Sequence, residues 1–197
     1  MPSHIKYGEA NAVLAGDALQ ALAYEIIVND NFLSADEKVN AIDLLSKACG
    51  KNGMVLGQYL DIENENNQDI DLKKLDDIHN LKTGKLIECA VMLGQIGSNL
   101  ESESLNVLRD FSSKIGLAFQ ITDDILDVTQ MESILGKNKN SDAKNNKLTY
   151  IDIIGLGEAR LKANKLTDSA LNSLNKSNIT NIDKLVEMAK YLISRES

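Results

Sequence analysis

The apolar positions recur at helical spacing along almost the whole chain. Nowhere do apolar and polar residues alternate with a period of two, so the pattern predicts helices and no strand. The first helix spans Gly8 to Asn29. Its small residues Ala12, Ala15, Gly16 and Ala18 predict a tightly packed core helix, with Asp17 held by a hydrogen bond. Ser34-Ala35-Asp36-Glu37 is a capping box that opens a helical segment running to about Asp61. Gly50, Gly53 and Gly57 interrupt this segment and predict a kink or a close helix contact. In its last turn Gln58 and Asp61 share a face. The polar stretch Ile62 to Ile70 reads as a solvated loop. Asp71 caps the next helix, which runs to about Ile96 with Leu75, Leu86 and Leu93 on its apolar face.

A short polar link, Ser98 to Ser104, leads into the central helix, which ends near Leu135-Gly136. A polar loop follows, and Thr149-Tyr150-Ile151 starts a helix that reaches about Leu174. A final helix covers Ile182 to Ile193. Six or seven packed helices, several of them long, make an all-α fold. With 197 residues and no repeat or low-complexity tract, residues 1–197 are expected to form a single helical domain.

Within the apolar central helix lies Phe119-Gln120-Ile121-Thr122-Asp123-Asp124-Ile125-Leu126-Asp127. At about 100° per residue, Gly116, Gln120, Asp123, Asp124 and Asp127 fall in one stripe roughly 100° wide. Three carboxylates on one face of a greasy helix repel each other and lose hydration. No lysine or arginine lies within four residues of Asp123 or Asp127 to relieve them. A hard divalent cation such as Mg2+ suits an all-oxygen donor set, and it commonly takes phosphate oxygens as further ligands. The loop of residues 136–147 adds four lysines against one aspartate. That is either a solvated loop or a clamp for an anion beyond the metal. Lys82, beside Thr83 and Gly84, is either a snorkelling side chain or a cation pointing into a cleft. His79 reads as structural or exposed.

Composition narrows the setting. The formal net charge of −8 argues against a nucleic-acid binder. No apolar run approaches the roughly 20 residues of a membrane span, and the N-terminus has no signal-peptide core. Cys49 and Cys89 are isolated and read as buried, reduced thiols, which points to the cytoplasm.

Seven motifs, in order, resemble the trans-polyprenyl diphosphate synthases, in particular the bacterial geranyl and farnesyl diphosphate synthases. They are Gly16-Asp17-Ala18-Leu19, Gly57-Gln58-Tyr59-Leu60-Asp61, Lys82-Thr83-Gly84-Lys85-Leu86-Ile87, Gly116-Leu117-Ala118-Phe119-Gln120, Asp123-Asp124-Ile125-Leu126-Asp127, Gly136-Lys137, and Asn146-Lys147-Leu148-Thr149-Tyr150. The resemblance implies an isoprenoid-synthase-like helical bundle. It implies a Mg2+-dependent transferase of isoprenoid biosynthesis that condenses isopentenyl diphosphate with an allylic diphosphate. By the same resemblance Asp123, Asp124 and Asp127 hold Mg2+. Lys82, Thr83, Lys137 and Lys147 bind the diphosphate, with Lys82 and Gln120 nearest the chemistry as catalytic groups. Phe119 forms a wall beside the substrate, and the chain forms a homodimer or self-associates in another way.

The family's first aspartate-rich motif, and the arginines after it, have no counterpart here. The resemblance therefore implies an N-terminally truncated synthase, inactive alone. A noncatalytic diphosphate-binding or regulatory subunit that completes a partner synthase is the alternative.

Overall fold

The computed structural model describes residues 2–65, 67, 69–135 and 148–194, with side chains described outside residues 130–135. The elements are α1 (Ser3–Tyr7), α2 (Glu9–Asn29), α3 (Ala35–Cys49), α4 (Met54–Glu63), α5 (Leu72–His79), a π-helical segment (Asn80–Gly84), α6 (Lys85–Leu93), α7 (Ser102–Leu135), α8 (Tyr150–Asn175) and α9 (Asp183–Ile193). No strand occurs among the described residues, so the all-α expectation holds. The backbone divides into two compact units, residues 1–44 and residues 45–197.

In the first unit α2 has no buried residue. Val13, Leu14, Leu19 and Ile26 are each more than 60% exposed, and a Cβ added to Gly16 would meet nothing within 4 Å. The expected tight packing around Ala12, Ala15, Gly16 and Ala18 is therefore corrected, and Asp17 is exposed. Small residues permit close approach but do not supply the surface that approaches. On length and composition, α2 is the one described helix able to cross a membrane, with a mean hydropathy of 1.2 in its most apolar window. Asp17 sits near its middle, where a carboxylate costs about 2.5–3.5 kcal/mol in a bilayer.

The second unit is built around α7, a helix of 34 residues, about 50 Å long at 1.5 Å per residue. Leu117, Ile121 and Ile125 of α7 join Ile70, Leu75, Tyr150, Ala159 and Ala163 in one core. Ala159 and Ala163 on α8 are small enough to let that helix lie close to α7. Two buried hydroxyls on α7 bond back to the preceding turn, Ser112 to the carbonyl of Leu108 at 2.8 Å and Thr122 to that of Ala118 at 2.9 Å. They need no partner from another helix.

Three boundaries differ from expectation. The segment from Ser34 breaks fully rather than kinking. A Cβ on Gly53 would lie 2.1 Å from the Ala48 carbonyl oxygen, so the chain turns there in a way no other residue fits. The helix from Asp71 contains the π segment. A π turn holds more residues than an α turn, so a wheel of constant pitch loses phase beyond it. Leu86 is consequently 36% exposed, while Cys89 and Met92 are buried. Helix α8 bends at Gly155, whose φ of 77° lies in the left-handed region.

Candidate active site

The site begins with three glycines. A Cβ on Gly57 of α4 would fall 2.2 Å from the Lys82 nitrogen, and one on Gly116 of α7 would fall 3.0 Å from the Gly84 Cα. The π segment is thus pressed backbone to backbone between α4 and α7. That compression places Lys82. Its Nζ lies 2.8 Å from Asp61 Oδ2, with the lysine 31% and the aspartate 12% exposed. Lys82 is therefore neither a plain snorkel nor an unpaired cation. It is a half-exposed ammonium whose partner comes from the end of α4. Thr83 beside it is half-buried.

On α7, Gly116 and Gln120 of the stripe meet these elements. Gly116 meets Gly84, and Gln120 Nε2 donates to Asp123 Oδ2 at 3.3 Å. Gln120 Oε1 lies 3.0 Å from His79 Nδ1. His79 is half-buried, not exposed, and burial lowers its pKa. The charges of Asp61, Lys82 and Asp76 all act on its ring, and Gln120 connects it to Asp123. Asp124 Oδ2 accepts the backbone N–H of Tyr150 at 3.0 Å. Burial pushes the Asp124 carboxyl up to about 6; the Tyr150 N–H lowers it, and the charges of Asp127, Asp123 and Asp152 raise it further. Asp127 is exposed, and Phe119 is half-buried. Lys137 and Lys147 lie outside the described residues.

The donor set fits a metal of one kind. All three candidates are carboxylates, and at Asp124 burial and mutual repulsion outweigh the Tyr150 N–H, a balance that a cation would shift. Among the described residues no group of three or more His, Cys, Asp or Glu is drawn together as a complete cage. Mg2+ is characteristically bound by one or two carboxylates, with water and phosphate oxygens completing its shell, so an open carboxylate face suits it. Asp123, Asp124 and Asp127 are the residues that would hold it.

Several residues of the site carry no signal in the local sequence. Asp61 is the exception, because its shared face with Gln58 in an apolar turn was visible. Asp76, Tyr150 and Lys162 contact one another across 74 and 86 positions, which no wheel reveals.

The residues with candidate chemistry thus sit on an all-helical frame, a glycine-packed lysine on the π segment and an aspartate stripe on α7. Comparison with known proteins identifies the family. The polyprenyl synthetase family model matches residues 2–189, and the chain belongs to that family. The chain is 41% identical to the farnesyl diphosphate synthase of Escherichia coli, over 98% of this chain and 66% of that protein. It is 40% identical to a dimethylallyltranstransferase of Fischerella ambigua, over 99% of this chain and 56% of that one. Among solved structures, the geranyltransferase of Helicobacter pylori complexed with magnesium and isoprenyl diphosphate superposes with a TM-score of 0.75 at 34% identity, covering 97% of this chain and 61% of that one. The chain thus spans roughly 55–66% of the length of these curated relatives.

Proposed function

We propose that this chain supplies the second aspartate-rich, diphosphate-binding face of a prenyltransferase that joins isopentenyl diphosphate to an allylic diphosphate. The observation that carries this reading is the hydrogen-bond chain His79–Gln120–Asp123, whose histidine also feels the charges of the Lys82–Asp61 pair. When bound there, Mg2+ neutralises diphosphate charge. The remaining work falls to side chains. Lys82 exchanges Asp61 for a diphosphate oxygen, a charge-assisted contact stronger than a neutral hydrogen bond. Gln120, held by His79, keeps its amide toward Asp123 and adds a neutral polar group beside the reacting carbons. Phe119 contributes apolar wall that keeps water from a developing cation. Lys137 and Lys147 complete the cationic side. The magnesium and isoprenyl diphosphate of the H. pylori enzyme support the same ligands here. The free thiols Cys49 and Cys89 support a reduced, cytoplasmic setting, and the exposed apolar residues of α2 support self-association.

Binding is the direct test. Calorimetry of the 197-residue chain with inorganic pyrophosphate should show binding with Mg2+ and none without it. Asp123→Asn should abolish it, and Lys82→Met should weaken it about tenfold or more, as for loss of a hydrogen bond to a charged group. Binding that ignores Mg2+ would overturn the reading. Labelled isopentenyl diphosphate with geranyl diphosphate tests turnover. The expected result is no sustained product, because the sequence holds a single Asp-Asp-x-x-Asp stretch.

A further inference from the structure

Tyr150 is fully buried yet makes hydrogen bonds at both of its polar ends. At the ring end its Oη donates to Asp76 Oδ1 at 2.6 Å. Asp76 is held again by Lys162, whose Nζ lies 2.7 and 2.8 Å from the two carboxylate oxygens and 5.0 Å from the tyrosine ring centroid. At the backbone end the Tyr150 N–H donates to Asp124. This N–H belongs to the first residue of α8, where helical geometry leaves it without an internal acceptor. Thr149 and Asp152 form a capping box one position away, so the start of α8 is pinned in register.

The ring face opens a second route. His79 stacks on it, with centroids 5.5 Å apart and planes at 24°. His79 then meets Gln120, and Gln120 meets Asp123. The donor inventory fixes the direction of this relay. The Gln120 amide nitrogen can only donate, so it faces the carboxylate; its oxygen can only accept, so His79 presents Nδ1–H. Both carboxylates of the Asp123–Asp124 pair therefore trace back to one buried residue, Asp124 through its backbone N–H and Asp123 through Gln120, His79 and the ring stack.

A phenylalanine would fill the same space. What tyrosine adds is the hydrogen bond to Asp76, which is paired in turn with Lys162; such a partly buried charged pair costs desolvation and is weak evidence for stability by itself. We propose that Tyr150, its ring clamped by Asp76 and Lys162, is a positioning residue that aims the Asp123 and Asp124 carboxylates at the metal. The inference rests on the diphosphate-binding reading above and goes beyond it, because none of these three residues is a ligand there. Partners that orient metal ligands typically change metal affinity by roughly 10–100-fold when removed.

The test uses Tyr150→Phe, Lys162→Met and Lys162→Arg in the whole chain, with thermal melts to verify folding. Two quantities are read. In calorimetry with pyrophosphate, Tyr150→Phe and Lys162→Met should raise the half-saturating Mg2+ concentration about tenfold. Pyrophosphate affinity at saturating Mg2+ should change little, a split that a general loss of structure would not produce. Lys162→Arg should stay near wild type. In the metal-free chain, hydrogen exchange at residues 148–154 should quicken roughly tenfold, the factor for one lost charge-assisted hydrogen bond. If Tyr150→Phe does not fold, the lysine pair decides. Unchanged Mg2+ dependence in folded variants overturns the positioning role, and unchanged exchange overturns the clamp. A wild-type chain without Mg2+-dependent pyrophosphate binding overturns the diphosphate reading and the metal-directed role together, while the exchange measurement still judges the clamp.

Discussion

Asp124 shows how function and stability pull apart at one residue. Its carboxyl is raised to about 6 against an ordinary value of 3.8, chiefly by burial. A raised carboxyl pKa means that the fold favours the protonated form. The penalty is absent below pH 3.8, grows between 3.8 and about 6, and is complete above. Asp124→Asn keeps an oxygen to accept the Tyr150 N–H and removes the charge. The metal-free variant should therefore be more stable than wild type at pH 7, by about 1–3 kcal/mol. Urea melts should show this gain vanish as pH falls toward 4, while Mg2+-dependent pyrophosphate binding is lost. An equal gain at all pH values would contradict the burial argument. At this scale the sequence was informative wherever one helix carries the whole pattern. Gly116, Gln120 and the three aspartates needed only the pitch of α7. Asp76, Tyr150 and Lys162 needed the folded chain, because their partners lie on different helices.

Among the elements, glycine decides what touches what. The sequence marks Gly50, Gly53 and Gly57 for a kink or a close helix contact, and the last two act differently. Gly53 forms the turn that precedes α4, whereas Gly57 lets α4 meet the π segment. Gly57→Ala must displace backbone, because the added Cβ would sit 2.2 Å from the Lys82 nitrogen. Denaturation should register a loss at the upper end of the roughly 1–3 kcal/mol typical of overpacking. Gly116→Ala meets Gly84 at 3.0 Å, a milder conflict. It also gains helix propensity of up to about 1 kcal/mol, so its net cost should be distinctly smaller. Similar costs for both would mean that the π segment is not gripped as described. The π segment itself was hidden in sequence, since Asn80-Leu81-Lys82-Thr83-Gly84 has no local feature that separates it from α-helix. Its effect surfaces downstream, in the displacement of Leu86 from the buried face.

For the molecule as a whole, composition conveyed fold class and little about surface. The helical period was enough to predict an all-α chain, and the family resemblance rests on motifs that α4, the π segment, α7 and the start of α8 all retain. Periodicity could not tell whether α2 would be covered. Leu19, Leu22 and Ile26 recur at helical spacing and are 66%, 45% and 62% exposed. The proposed self-association would use this apolar surface. The chain should sediment as more than a monomer and bind the dye ANS. Leu22→Glu combined with Ile26→Glu should reduce both signals, and a wild-type chain that runs as a dye-free monomer would refute this expectation.

The two thiols offer a practical opening. Cys89 is buried, and its pKa is pushed up to about 11, while burial also raises Cys49. Neither side chain is in a disulfide, yet near pH 7 both remain overwhelmingly protonated, and it is the thiolate that reacts. A cysteine introduced at the exposed position Ser113, ten residues before Asp123 and about 15 Å away along α7, would outpace them with maleimide. A fluorophore can thus be attached to α7, about 15 Å from the aspartate stripe, without first stripping the protein of its native cysteines.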